Sequence, residues 1–265
     1  MPQRSALQDA LALLFPPRCH VCGKFCAEPI CETCFGDFSF IESPFCDACG
    51  KPFDPAATGG PLCGECRSGA FRFKAARAIG RHTGALRQAV LDLKFHGQRR
   101  LDEPLAALLA ARLELDETDR SGTLSLTKGI PVRGIQAIIP VPLHRDRLRS
   151  RGYNQSELLA RHLSEKVGIP VWPDVLARIR WTRPQTEITS PRERRQNVSG
   201  AFEASKAWRL AEAHVLLLDD VFTSGSTMNE CARVLKAAGV ARVDALTLSR
   251  STPEWDAAQD MPDSA

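Results

Sequence analysis

The chain has 265 residues, 43% of them hydrophobic, and a formal net charge of only +4. This length can form one α/β domain of ordinary size together with a small module. No apolar stretch approaches the roughly 20 residues that cross a bilayer, which argues against a transmembrane segment and favours a cytoplasmic protein.

Residues 1–17 predict a short N-terminal helix. Residues 6–15 form an apolar decapeptide that Gln8 and Asp9 interrupt, and Pro16 and Pro17 end it. Because the segment lacks the cleavage site of a signal peptide, we expect an amphipathic helix, with a peripheral membrane anchor as the alternative.

Residues 18–70 contain nine of the ten cysteines and an internal repeat. The pattern of residues 18–24 recurs at residues 45–51, and a further Cys-x-x-Cys pair follows each copy. Two such turns supply the four thiolates of a structural zinc site. A disulfide framework is the alternative, but the chain shows no secretion signal.

The repeat therefore predicts a double zinc ribbon with two zinc ions. The expected ligands are Cys19, Cys22, Cys31 and Cys34 for one ion, and Cys46, Cys49, Cys63 and Cys66 for the other. A cross-braced pairing would use the same eight residues and stays open. We expect the module to fold apart from the following domain, so that loss of Cys46 would leave that domain largely intact.

Residues 71–251 predict an α/β domain. Strands are expected over residues 75–81, 136–141 and 242–248, and helices over residues 84–95, 101–115 and about 154–167. Residues 171–180 are expected to be extended and residues 182–197 to form a mobile loop. The acidic tail over residues 252–265 is expected to be disordered.

Residues 214–230 carry the clearest chemistry. The apolar run from Val215 to Leu218 has the length of a buried parallel strand, Asp219 and Asp220 follow it, and a helix is expected over residues 228–238. Between them lies a turn whose hydroxyls, free amides and glycine suit a phosphate group. Its residues are Thr223, Ser224, Gly225, Ser226 and Thr227.

Two common nucleotide motifs are excluded here, because neither Gly-Lys-Ser/Thr nor Gly-x-Gly-x-x-Gly is present in this stretch. An ordinary βα turn with a serine N-cap is the alternative. It would leave Asp219 and Asp220 at the end of a buried strand without a ligand, which is costly.

The stretch resembles the ribose-phosphate loop of type I phosphoribosyltransferases. The resemblance implies that Asp219 and Asp220 hold the ribose of phosphoribosyl pyrophosphate at the catalytic centre, while the turn holds its 5′-phosphate. It also implies a pyrophosphate loop over residues 141–145 and a closing loop that includes Arg183 and Arg192. The further implied ligands are Val141, Pro142, Leu143, Arg145, Arg151, Gln185 and Thr186.

The ordered motifs of the whole chain resemble the ComF family, also called ComFC or GntX-like proteins. Beside the cysteine pairs and the phosphate turn, they are Leu-Phe-Pro-Pro-Arg-Cys at 14–19, Leu-Lys-Phe-His-Gly at 93–97, Pro-Val-Pro-Leu at 140–143, Arg-Gly-Tyr-Asn-Gln at 151–155, Pro-Gln-Thr at 184–186 and Glu-Arg-Arg-Gln-Asn-Val at 193–198. Ser226 departs from the glycine or alanine of many relatives.

The resemblance implies a double zinc ribbon followed by a type I phosphoribosyltransferase fold, a twisted parallel sheet flanked by helices. It implies phosphoribosyl pyrophosphate with Mg²⁺ as ligands and a link to natural competence. Single-stranded DNA and a competence helicase or recombination proteins are the implied partners.

Two functions remain open from the sequence. An enzyme would displace pyrophosphate from C1 of the ribose through positioning and charge stabilisation. A non-catalytic, nucleotide-sensing DNA-binding or adaptor protein would bind single strands through the zinc module and Arg147, Arg149 and Arg151. A regulator of purine genes is a third possibility, but no helix-turn-helix pattern supports it.

Overall fold

The computed structural model describes residues 16–53, 60–95, 99–114, 129–184, 187–188 and 190–251. The predicted N-terminal helix, the predicted disordered tail, and the predicted ligands Gln185 and Thr186 therefore lie outside the described residues. Among the residues that the structure describes, no helix is long and apolar enough to cross a membrane.

A four-stranded parallel sheet in the order β1-β6-β5-β2 forms the centre of the domain. Its strands are β1 (Ala76–Arg81), β2 (Ala137–Pro140), β5 (His214–Phe222) and β6 (Arg242–Arg250). A separate antiparallel pair consists of β3 (Leu176–Arg178) and β4 (Phe202–Ala204). The sheet confirms the predicted fold class, and its parallel strands bring the carboxyl ends of β2 and β5 side by side.

Nine α-helices occur within the described ranges. They are α1 (Glu32–Gly36), α2 (Gly64–Arg67), α3 (Gly84–Phe95), α4 (Asp102–Glu114), α5 (Arg145–Arg151), α6 (Gln155–Val167), α7 (Pro191–Val198), α8 (Ala207–Leu210) and α9 (Ser226–Ala237). A 3₁₀ turn, Arg99–Leu101, precedes α4. Helix α6 has Asn154 as its N-cap, whose side chain accepts from the Ser156 amide, and the left-handed Gly168 as its C-cap.

Alternation along β5 divides the hydrophobic core between the two faces of the sheet. Leu216 and Leu218 belong to the core formed with α3, α4 and α6. Val215 and Leu217 belong to the core formed with α9 and the β3–β4 pair. All four side chains are fully buried, and burial of each stabilises the fold by about 1.5–3 kcal/mol relative to exposure.

The two cysteine modules join different cores. Cys19 and Cys34 are buried with the helices α3 and α4, whereas Cys46 and Cys49 are buried with α9 and the ends of β2 and β5. Between the modules, Phe40 forms an antiparallel bridge to Gly80 in β1. The two modules therefore lie on opposite faces of the sheet.

This packing revises the expectation that the module folds apart from the domain. The amide of Ala76 in β1 donates to the carbonyl of Ala48 at 2.7 Å. Arg77 Nη1 donates to the carbonyl of Asp47 at 3.0 Å. Since Cys46 is fully buried in the shared core, its loss should disturb the sheet as well as the ribbon.

Two local expectations were wrong, and one helix was not predicted. Helix α7 occupies part of the region expected to be a mobile loop, and its first turn begins with a proline, as helices often do. The arginine-rich α5 was not predicted, because it has no apolar periodicity. Strand β5 continues through Asp219 and Asp220 to Phe222, so the acidic pair belongs to the strand and does not follow it.

Candidate functional site

A cavity of about 430 Å³ opens at the carboxyl ends of β2 and β5. Its size is within the usual range of small-molecule sites. Strand β5, the turn before α9, helices α3 and α5 and the loop after β2 all contribute to its walls. Ten of the predicted ligands line it: Val141, Pro142, Leu143, Arg151, Asp219, Asp220, Thr223, Gly225, Ser226 and Thr227.

The turn between β5 and α9 has a shape that depends on glycine. Gly225 has a φ of +72°, and a Cβ there would lie 2.5 Å from Cζ of Phe222 and 3.0 Å from Cε1 of Phe71. The N-cap residue of α9, Gly225, has no side chain that could accept from the helix, so the amides of Thr227 and Met228 have no acceptor within the helix. These amides and the helix dipole make the turn suitable for an anion.

The acidic pair is held by donors from two helices. Lys94 Nζ of α3 lies 3.1 Å from Asp220 Oδ2, and Gln155 Nε2 of α6 donates to the same oxygen at 3.3 Å. The Ser156 hydroxyl donates to Asp219 Oδ1 at 2.8 Å. Both carboxylates are thus fixed at the inner end of the cavity, and Asp220 is only 3% exposed.

The two carboxyl groups differ in their tendency to ionise. Burial and the neighbouring charge of Asp220 raise the pKa of Asp219 to about 7. Burial would also raise the pKa of Asp220, but the charges of Lys94 and Arg151 hold that pKa below its usual value. Near neutral pH, Asp220 is therefore a permanent anion, while Asp219 can gain or lose a proton.

Three arginines form a basic wall of the same cavity: Arg147, Arg151 and Arg178. Burial lowers the pKa of each, and Arg151 lowers that of Arg147 further, as Arg147 does for Arg178. Guanidinium groups that are crowded and partly desolvated in this way would be stabilised by a bound anion. The wall therefore favours a ligand with several negative charges.

The helical periodicity of α5 places its arginines on two different faces. Arg147 and Arg151 are four residues apart and line the cavity. The side chains of Arg145 and Arg149 are also four residues apart, and each is 79% exposed. The predicted ligand Arg145 therefore lies away from the cavity. Ser224 is not among the lining residues either; its hydroxyl shares a hydrogen bond of 2.7 Å with that of Ser226, which does line the cavity.

Sequence reasoning missed several residues of the site. His82, Arg87, Lys94 and Arg178 all line the cavity. Lys94 belongs to the Leu-Lys-Phe-His-Gly motif, which could have identified it as a site residue. Its ion-pair partner Asp220, however, lies 126 residues away along the chain. The hydroxyl of Tyr153 donates to the carbonyl of Leu93 and so connects that motif to the loop between α5 and α6.

Each cysteine tetrad has the geometry of a zinc site. The sulfur atoms of Cys19, Cys22, Cys31 and Cys34 lie within 4.8 Å of one another, as do those of Cys46, Cys49, Cys63 and Cys66. The distance is 3.7 Å between Cys22 and Cys31 and also between Cys49 and Cys63. Tetrahedral zinc with Zn–S bonds of about 2.3 Å would place its sulfurs about 3.8 Å apart.

Each tetrad is formed by two Cys-x-x-Cys pairs that follow one another in the chain, so the structure has the sequential pairing and not the cross-braced one. Amide groups also favour thiolates here, since the amide of Cys63 donates to Cys46 Sγ at 3.3 Å. Burial would raise the pKa of the Cys46 thiol, but backbone donors hold it at about 7. Both donor sets therefore fit structural zinc.

The chain matches two protein-family models. One is described as a double zinc ribbon domain and covers residues 10–70. The other is described as a phosphoribosyl transferase domain and covers residues 153–261. The first match coincides with the two tetrads, and the second includes the acidic pair, the glycine turn and helix α9.

Curated proteins match over most of the chain. Competence protein F of Haemophilus influenzae is 33% identical over 220 residues, which is 82% of this chain and 90% of that protein. DNA utilization protein YhgH of Salmonella typhimurium is 32% identical, over 78% of this chain and 84% of its own length. Competence protein ComFC of Bacillus subtilis is 24% identical, over 84% of this chain and 85% of its own.

Proposed function

Because the chain belongs to the competence protein F (ComF) family, we propose that its cavity binds phosphoribosyl pyrophosphate together with Mg²⁺. We propose further that the protein serves in the handling of DNA during competence. The names of its relatives, competence protein and DNA utilization protein, support the second part.

The choice of this ligand rests on three features that lie in the same cavity. The acidic pair Asp219 and Asp220 and the glycine turn at Gly225 share one cavity with the basic wall of Arg147, Arg151 and Arg178. Phosphoribosyl pyrophosphate has a ribose with two free hydroxyls, a 5′-phosphate and a pyrophosphate. Carboxylates accept hydrogen bonds from hydroxyls, helix amides bind a phosphate, and guanidinium groups bind a pyrophosphate.

In this proposal, Asp220 exchanges one partner for another. Its carboxylate is paired with Lys94 at 3.1 Å, and a ribose hydroxyl could take the place of the ammonium group. The released Lys94 lines the same cavity as the basic wall, so it would add a fourth positive charge for the pyrophosphate. The ion pair would therefore keep both side chains ready for the ligand.

Magnesium fits this donor set, because it prefers oxygen ligands and commonly takes one or two carboxylates together with substrate phosphates. Asp219 and Asp220 are the residues that would hold it. When bound, the ion would offset negative charge on the pyrophosphate and so make it a better leaving group.

The same geometry supports a pentosyl transfer as the reaction. The bond between C1 and the pyrophosphate oxygen would break, the electron pair would leave with pyrophosphate, and an acceptor atom would supply the pair for the new bond to C1. Asp219 and Asp220 would stabilise the positive charge that develops on the ribose, and the basic wall would hold the leaving group.

A second candidate function, direct binding of single-stranded DNA without catalysis, has its own support. Arg145 and Arg149 point outward from α5. On the same helix, the guanidinium of Arg147 lies 5.9 Å from the ring centroid of Trp181, and Trp181 is 51% exposed. An exposed indole beside positive charge is the arrangement on which bases of a single strand stack.

Two double variants of α5 separate these functions. Calorimetry with phosphoribosyl pyrophosphate and Mg²⁺ should show an affinity loss of about 100-fold for the inward pair Arg147→Gln/Arg151→Gln, because two charge-assisted contacts disappear. The matched outward pair Arg145→Gln/Arg149→Gln removes the same charge and should retain the wild-type affinity. Equal losses in both pairs, or none in either, would contradict the proposed site.

The same variants test DNA binding. If the outward pair contacts phosphates, its removal should reduce the slope of log affinity against log salt by about 1.4, at about 0.7 per contact on single strands. An unchanged slope would exclude the outward face of α5 as a DNA contact. Turnover is tested separately, by measuring release of pyrophosphate with candidate bases or DNA as acceptors.

A further inference from the structure

Arg250, the last residue of β6, is a buried cation with an unusual partner. It is only 6% exposed, its Nε atom has no hydrogen-bond partner among the described residues, and none of the ion pairs found among those residues includes it. Its Nη1 donates to the carbonyl of Cys49 at 2.7 Å, and its Nη2 lies 3.8 Å from Cys49 Sγ. A buried guanidinium without a counter-charge is strongly disfavoured, so its counter-charge should be sought at Cys49.

The second tetrad can provide that charge. Cys49 belongs to the tetrad completed by Cys46, Cys63 and Cys66. Four thiolates around a divalent zinc ion leave a surplus of negative charge. With metal bound, Arg250 would therefore have a fixed anionic partner, and the guanidinium would be held against the ribbon.

The other side of Arg250 faces the phosphate turn. Its Cζ atom lies 4.4 Å from the centroid of the Phe222 ring. The Phe222 ring is also the group that a Cβ on Gly225 would meet at 2.5 Å. The amide of Ser251 donates to the carbonyl of Phe222 at 2.9 Å, which ties the two strand ends together. The ring thus lies between Arg250 and the backbone of the turn.

We propose that Arg250 is a positioning residue that couples the metal state of the second tetrad to the shape of the phosphate turn. Metal at Cys49 holds Arg250, Arg250 holds the Phe222 ring, and the ring supports Gly225. The identity of the bound phosphate rests on the proposed function, whereas the coupling itself does not. In this scheme the second ribbon forms part of the binding site.

The first tetrad has no such connection. Cys22 corresponds to Cys49 in the repeat, yet Cys22 is exposed. In the part of the chain that the structure describes, the donors to Cys19 Sγ are the backbone amides of Val21 and Cys31. Loss of metal from the first tetrad should therefore leave the phosphate turn unchanged.

Hydrogen exchange of the zinc-loaded, full-length protein tests the coupling without any ligand. In Arg250→Gln, amides of residues 222–229 should exchange about tenfold faster, a change typical of coupling between sites. Arg250→Lys keeps the charge and should restore part of the protection. Peptides from the core of β5 and from α6 should be unaffected in both variants.

Arg81→Gln is the matched control, because exposed Arg81 is the register partner of Arg250 on the neighbouring strand β1. It should exchange like the wild type. If the amides of residues 222–229 exchange as slowly in Arg250→Gln as in the wild type, the proposal is overturned. Faster exchange that is spread over the whole sheet and is not restored by lysine would overturn it too, since that would indicate a purely structural role.

A second experiment avoids substitution at Arg250 in case the glutamine variant does not fold. Cys22→Ser weakens only the first tetrad, and a chelator then removes the remaining metal while zinc is counted. Exchange at residues 222–229 should stay slow in Cys22→Ser and rise about tenfold as the second tetrad loses its metal. A turn that loosens with the first metal, or with neither, would contradict the coupling.

Calorimetry with ribose 5-phosphate on the same samples links the coupling to binding. Affinity should fall about tenfold in Arg250→Gln and stay at the wild-type value in Arg81→Gln. If wild-type protein does not bind ribose 5-phosphate, the proposed function fails, and the exchange data still decide the coupling. If it binds and Arg250→Gln binds equally well with normal exchange, the coupling fails and the proposed function stands.

Discussion

The two cysteine ribbons begin from almost the same sequence and have different surroundings. Cys19 and Cys46 occupy equivalent positions, both are buried, and each accepts a backbone hydrogen bond to sulfur. The first ribbon packs against α3 and α4, on the face of the sheet away from the glycine turn. The second shares a core with Phe222 and Met228, which flank that turn.

The difference shows that a repeated motif defines a local structure without defining its role. Both tetrads can hold zinc, because the Cys-x-x-Cys turns determine the sulfur positions. Of the two, as far as the described residues show, the second alone is in contact with Arg250 and, through it, with the phosphate turn. The role of each ribbon therefore depends on the residues around it, which come from distant parts of the chain.

The largest expected effect comes from removing one equivalent ligand from each ribbon. Cys46→Ser should lower the free energy of unfolding of the whole domain by about 5 kcal/mol, because a structural metal and a shared core are lost together. Cys19→Ser should cost less, although Cys19 is also buried, because it is in the second ribbon that the carbonyls of Asp47 and Ala48 accept hydrogen bonds from β1; it should preserve binding of phosphoribosyl pyrophosphate. Thermal unfolding and calorimetry would measure both, and identical effects of the two variants would remove the distinction between the ribbons.

A pair of equivalent glycines sharpens the comparison. Gly23 and Gly50 follow the first Cys-x-x-Cys pair of each ribbon, and both have a positive φ. A Cβ on Gly50 would lie 2.7 Å from the carbonyl oxygen of Ala76 in β1, whereas a Cβ on Gly23 would meet nothing within 4 Å. Gly50→Ala should cost about 3 kcal/mol and Gly23→Ala about 1 kcal/mol, the strain of the backbone alone.

Chemical denaturation of the two glycine variants, with zinc content recorded, would measure these free energies. The first ribbon serves as the control here, since its glycine has the same backbone conformation and open space around it. Equal losses of unfolding free energy in the two variants would mean that the second ribbon does not pack against β1 as closely as the structure shows.

A further expected effect concerns the pH dependence of the free energy of unfolding. It arises at Asp219, in the sheet against which the second ribbon packs. The folded-state pKa of Asp219 is raised to about 7, against about 3.9 in the unfolded chain. Between these values the folded protein binds the extra proton, so stability from this group falls as pH rises from about 4 to 7. Asp219→Asn should therefore gain stability over the wild type across that interval, by on the order of 4 kcal/mol in total at pH 8.

Urea denaturation of both proteins at several pH values between 5.5 and 8 would measure this difference, and changes in zinc affinity would affect both alike. If the first ribbon unfolds in a separate step, that step should be the same in the two proteins. A stability difference that does not vary with pH would mean that Asp219 is ionised throughout.

Much of the fold was predictable from local pattern. The bounds of α3 were predicted without error, because its apolar residues recur with helical spacing and Gly84 and Phe95 mark its ends. The apolar run of β5 identified the central strand, although the strand continues past it. The arginine-rich helix α5 could not be found in this way, since its periodicity is one of charged residues that face either the cavity or the solvent.

Residue chemistry alone predicted the site only where one segment carries it, whereas Val141, Pro142, Leu143 and Arg151 were predicted from the family resemblance. Asp219, Asp220 and the glycine turn are contiguous, and all of them except Ser224 line the cavity. Lys94, Arg178 and Arg250 reach the site or its support from other elements, and their partners are determined by strand order. Arg145 and Arg147 are two residues apart, yet they face opposite ways because the helix between them turns.

A crystal structure of the zinc-loaded protein with ribose 5-phosphate would test the central claim most directly. The account predicts that the phosphate receives hydrogen bonds of about 2.7–3.2 Å from amides of residues 224–228. It also predicts that the ribose hydroxyls donate to Asp219 or Asp220, with Lys94 displaced. A phosphate bound only by Arg147 and Arg178, with the glycine turn empty at saturating ligand, would contradict it.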